Sequence, residues 1–71
     1  MTKREYLFRV HSALLRNPTW RFGQTLFNVL YRIDPQAADE IRGTIADPFY
    51  ARDSKGPSID KFFAATDHLW D

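Results

Sequence analysis

The sequence predicts an all-α protein, a small single-domain bundle of three to four short helices spanning residues 1–71, with a loop at about 51–57. Three observations carry that expectation. Apolar residues recur at the i, i+3, i+4, i+7 spacing of amphipathic helices. Helix starters and stoppers stand at the joints: Thr2, Asp34-Pro35, Gly43, Asp47-Pro48 and Pro57. No alternating run of β-branched residues competes with helix anywhere along the chain.

Thr2 followed by Glu5 has capping-box spacing, the threonine accepting from an orphan amide and the glutamate reaching back. The first helix then runs to about Arg16 and stops at Asn17-Pro18, because proline cannot continue the ladder. On a helical wheel Leu7, Phe8, Val10, Leu14 and Leu15 gather on one side, with Glu5, Arg9, Ser12 and Arg16 opposite. His11 falls within the apolar arc, which predicts a core or interface histidine.

Thr19 can cap a second helix from about Trp20 to Ile33. Its core stripe is Phe22, Leu26, Val29, Leu30 and Ile33, with Phe27 and Tyr31 extending the apolar face sideways. Gly23 within it costs about 1 kcal/mol relative to alanine, an expense that close approach of another helix would explain. Gln24 and Asn28, one turn apart, predict a polar network to the third helix or to the Asp47 turn, or else paired amides for a partner. Asp34-Pro35 joins a good cap to the favoured first-turn proline and opens a third helix to Arg42, with Gly43 as its left-handed stop. Asp47-Pro48 repeats the device and predicts a single turn through Phe49 and Tyr50. The polar stretch ARDSKGPS reads as exposed loop. Pro57 or Ser58 opens a last helix to about Trp70, its stripe being Ile59, Phe62, Phe63, Thr66, Leu69 and Trp70.

Seventy-one residues lie near the lower limit for a self-sufficient core. Cysteine is absent, which excludes disulfides and thiolate metal sites. Two histidines far apart in sequence cannot fill a structural zinc site, so no metal or other cofactor is expected. Eleven aromatic rings exceed what one small core buries easily, so some are expected to face a partner. No apolar run approaches the roughly 18 residues of a membrane span, and the amino terminus lacks signal-peptide features. A cytoplasmic protein is the expectation.

The pattern Arg21-x-Gly23-Gln24-x-x-x-Asn28-x-Leu30, then Ala38-x-x-Ile41-x-Gly43-Thr44, then Asp47-Pro48-Phe49-Tyr50, resembles a group of short uncharacterised proteins from phages, prophages and bacteria. The similarity covers roughly the last fifty residues. Relative to the typical member, the loop from Ala51 to Pro57 is longer. The resemblance implies a small helical fold and a phage-type setting; it implies no activity, because the group has none assigned.

Charge is divided along the chain. Residues 1–32 hold six basic side chains against Glu5 alone, a balance of +5, while residues 33–71 hold four basic against eight acidic, a balance of −4. Such a basic half suits a phosphate backbone or an acidic protein surface, unless the acidic half neutralises it through pairs across the helices. The pI near 8.1 is below that of most nucleic-acid binders. Asp34 and Asp47 have capping duties, and no Ser-His-Asp or two-carboxylate constellation stands out, so an enzyme is not expected and no small-molecule substrate is implied. The residues expected to bind a protein partner, or a second copy of the chain, are Trp20, Arg21, Phe27, Tyr31, Arg32 and Tyr50, because Trp, Tyr and Arg dominate binding hot spots. Trp70 and Phe49 are expected inside, and Phe27 and Tyr31 outside. The alternative is a nucleic-acid regulator using Arg9, Arg16, Arg21 and Arg32.

Overall fold

Local capping chemistry starts each helix, and a computed structural model describing all residues 1–71 places four of them: α1 (Lys3–Arg16), α2 (Phe22–Ile33), α3 (Pro35–Ile41) and α4 (Pro57–Thr66). A 3₁₀ turn, Asp67–Leu69, prolongs α4, and there are no strands. The capping box at Thr2 forms as expected, with Thr2 Oγ1 accepting from the Glu5 amide and Glu5 Oε1 from the Thr2 amide, both at 3.1 Å. These bonds hold the Glu5 carboxyl below its usual range, the Thr2 backbone N–H being the larger cause.

The face α1 presents to the core is rotated from the one expected, keeping Val10 and the partly buried Leu7. Tyr6, Val10 and Ala13 are buried, whereas Phe8 and Leu15 are 73% and 84% exposed. His11 is exposed too, so it is neither core nor covered. The expected arc was about 160° wide, more than one helix contact can cover. Tyr6, just beyond the Val10 edge of that arc, fixes the rotation: its hydroxyl donates to the Leu26 carbonyl at 2.7 Å, and its ring stacks on Trp70 at 4.5 Å. Burial pushes the Tyr6 phenol pKa well up.

α2 begins two residues later than the sequence suggested. The Trp20 amide closes a turn onto the Asn17 carbonyl, and Arg21, not Thr19, stands at the cap. Gln24 is spent there, its Oε1 accepting from the Arg21 amide at 3.3 Å, and neither Gln24 nor Asn28 bonds to α3 or the Asp47 turn. Leu26 and Leu30 are fully buried, and Val29 nearly so. Phe27, expected outside, is only 6% exposed. It is enclosed because α3 folds back beside it and Phe49 meets its ring edge-on at 6.0 Å.

Asp34 ends one helix and begins the next: its amide donates to the Leu30 carbonyl, and its Oδ1 accepts from the Ala37 amide at 3.1 Å. Gly43 stops α3 at φ +74°, a conformation costly to side-chain-bearing residues. Asp47 organises a turn and no further helix. Its Oδ2 accepts from the Gly43 amide at 2.8 Å, its Oδ1 from the Phe49 amide at 3.0 Å, and the Ala51 amide closes back onto Pro48 O. That turn, not another helix, explains Gly23. A Cβ at position 23 would overlap the Pro48 carbonyl, and the Gly23 amide donates to the Ala51 carbonyl at 2.8 Å.

Residues 52–55 form the expected exposed loop. α4 then buries Ile59, Phe62 and Thr66, with Phe63, Leu69 and Trp70 packed around the core. α2 is thus the central element, with α1 on one side and α3 on the other, while α4 packs against α3 and brings Phe62 to Tyr6 of α1, ring centroids 6.4 Å apart. The chain ends meet: the Met1 ammonium pairs with Asp71 Oδ2, and the Asp71 amide donates to Met1 O, each at 3.1 Å. The only other ion pair is Arg42–Asp39, so the basic and acidic halves do not neutralise each other through pairs across helices. No helix is long and apolar enough to cross a membrane.

Candidate functional site

Chain reversal at Asp34 assembles a cleft that the sequence outlines only in part. Because α2 and α3 form a hairpin about Asp34, Arg42, eight residues beyond it, comes to lie beside Phe27, seven residues before it. The Asp47 turn then brings Phe49 and Tyr50 against the same place. A cleft of about 540 Å³ results, with Phe27 and Phe49 at its base, Tyr31 and Tyr50 on its walls, and Asn28, Arg42 and Asp47 supplying its polar groups.

The rings interlock. Phe27 and Tyr31 stack at 6.5 Å, Phe27 meets Phe49 edge-on, and Phe49 meets Tyr50 edge-on at 5.2 Å. Arg42 Cζ lies 5.3 Å from the Phe27 ring centroid and 5.4 Å from that of Tyr31, within cation–π range of both. Its ion pair with Asp39, at 3.4 Å on the surface, leaves most of its donors free and holds it only weakly. Arg21 Cζ sits 6.0 Å from the Tyr50 ring on the far side. Tyr31 remains 45% exposed and Tyr50 79%, although each touches a ring that is largely covered. Both Asp47 oxygens are occupied by backbone amides, so that carboxylate shapes the cleft. The arrangement offers an apolar aromatic floor, one cation and an unengaged Asn28 amide; such a surface recognises an apolar group flanked by hydrogen-bonding groups.

Of the residues expected to bind a partner, Phe27, Tyr31 and Tyr50 line this cleft and Arg21 borders it. Trp20 and Arg32 do not belong to it; they line a separate hollow with Arg16. Of the four arginines proposed for nucleic acid, Arg9, Arg16 and Arg32 share a groove between α1 and α2, while Arg21 stands apart over Tyr50. Arg42 is the residue that sequence reasoning missed. Its signal was position, since a helical hairpin with a one-residue hinge pairs residues roughly equidistant from that hinge. No family model, curated protein or solved structure matches the chain.

Proposed function

We propose that this chain is a non-enzymatic binding protein that seats a protein partner in the cleft between α2 and the Asp47 turn. One observation carries the reading: Tyr31 and Tyr50 keep much of their surface in water although the buried Phe27 and half-buried Phe49 hold them in place. Rigid aromatic walls beside an arginine lose little side-chain freedom on binding, which is what makes such residues hot spots. The occupant favoured by this lining is a protein segment that inserts an apolar side chain over Phe27 and Phe49 and sets a carboxylate or carbonyl against Arg42. The setting we propose, a phage- or prophage-type accessory protein acting in the cytoplasm on a host or defence protein, an anti-CRISPR-like inhibitor being one version, rests on the resemblance of the Arg21–Tyr50 pattern.

The test is affinity capture from a host lysate with and without nuclease, at low and high salt, using the native chain and the Tyr31→Ala/Tyr50→Ala variant. Under this reading one protein survives nuclease and salt and is lost with the double variant. Retention that vanishes with nuclease would replace it with the nucleic-acid reading. Recovery of the chain alone, still dependent on Tyr31 and Tyr50, would make the occupant a second copy.

A further inference from the structure

α1 turns two apolar side chains toward solvent, and most of the charged groups around them are cationic, Glu5 being the exception. Phe8 and Leu15 are seven residues apart, so they form a row about 10.5 Å long that runs nearly parallel to the helix axis. Arg9 and Arg16 repeat the same interval on one flank, and Arg4 lies on the other. Arg32 of α2 reaches the groove that Phe8, Arg9 and Arg16 line. None of these four arginines has an ion-pair partner. Glu5, the only acidic residue among the first 32, spends its Oε1 on the Thr2 amide and hydroxyl. The aromatic cleft shares no residue with this face.

We infer that this face is a second docking surface, independent of the cleft, and that its occupant is an acidic amphipathic helix of a partner protein. The seven-residue repeat of Phe8 and Leu15 is the seam of helix-on-helix contact, where flanking charges choose the partner. A second copy of this chain would set arginine against arginine along both flanks, and like charges there reject a partner. A helix with apolar residues every seven positions and Asp or Glu beside them meets the row and the arginines together. A phosphate backbone would satisfy the arginines but leave Leu15, which has no ring to stack, in water.

The probes are two stapled helical peptides of about 15 residues, each with Leu at seven-residue intervals, one flanked by Glu and the other by Lys. Each is titrated into the ¹⁵N-labelled full chain. The acidic peptide should shift the amides around Phe8, Arg9, Leu15 and Arg16 and bind at least about tenfold tighter than its basic counterpart. Phe8→Ala/Leu15→Ala and, separately, Arg9→Glu/Arg16→Glu should each weaken it about tenfold or more, with unchanged far-UV circular dichroism because all four side chains are exposed. Tyr31→Ala/Tyr50→Ala should leave this binding intact, so the surface and the cleft fail separately. Equal binding of both peptides would overturn the inference. So would an oligonucleotide that binds through Arg9 and Arg16 when the acidic peptide does not, or a dimer abolished by Phe8→Ala.

Discussion

Tyr6 and Gly23 do more to place this chain than their neighbours do. Tyr6 brings a hydroxyl to the Leu26 carbonyl in a fully buried position. Tyr6→Phe should cost about 1 kcal/mol in urea unfolding at neutral pH, the net worth of one hydrogen bond. Its raised phenol pKa also sets a sign. The folded chain keeps that proton to higher pH than the unfolded chain, so Tyr6 leaves stability level below about pH 10 and erodes it above, where only the unfolded state ionises. Tyr6→Phe should flatten that alkaline decline between about pH 9 and 11, read as the unfolding midpoint. Gly23→Ala forces a methyl into the Pro48 carbonyl and strains the Gly23–Ala51 bond, so a loss of about 3 kcal/mol is expected from overpacking and the weakened bond together. Because the same turn carries Phe49 and Tyr50, partner capture should fall with it.

At the scale of elements, single aspartates do the joining. Asp34 closes α2 with its amide and opens α3 with its carboxylate, so Asp34→Ala should cost about 1 kcal/mol, measured by thermal or urea unfolding. All four helices were expected, and three of their starts, at Thr2, Asp34-Pro35 and Pro57, together with the stop at Gly43, were legible because these residues act locally, through backbone groups within a few residues. The rotation of α1 was not legible. Leu7, Phe8, Leu14 and Leu15 make as good a stripe on a wheel as Tyr6, Val10 and Ala13, and the choice depends on Trp70 and Leu26, distant in sequence. The start of α2 was misread for a related reason: Thr19 has the right side chain for a cap, but the turn closed onto Asn17 puts Arg21 there. Tyr31 and Tyr50 were identifiable as surface rings, whereas Arg42 joined them only once the hairpin geometry was known.

For the whole molecule, the division between core and surface decides what a substitution can report. Phe27→Ala should unfold the protein by about 3–5 kcal/mol, as truncation of a buried ring does, and so cannot isolate binding. Tyr31→Ala/Tyr50→Ala should leave helicity and unfolding midpoint nearly unchanged while weakening partner affinity about tenfold or more, measured by circular dichroism and calorimetry. A collapse of helicity in that double variant would instead make the two tyrosines structural. The unpaired arginines of α1 and α2 lie outside the cleft, so salt should act on the two faces differently, weakening contacts at Arg9 and Arg16 while sparing those at Tyr31 and Tyr50. The bond from the Gly23 amide to the Ala51 carbonyl links the start of the central helix directly to the turn that forms one wall of the cleft. Deuterium uptake at that single amide therefore clocks how often the wall swings away, and an occupant lodged against Phe49 and Tyr50 should slow the clock before any change is visible in the helices.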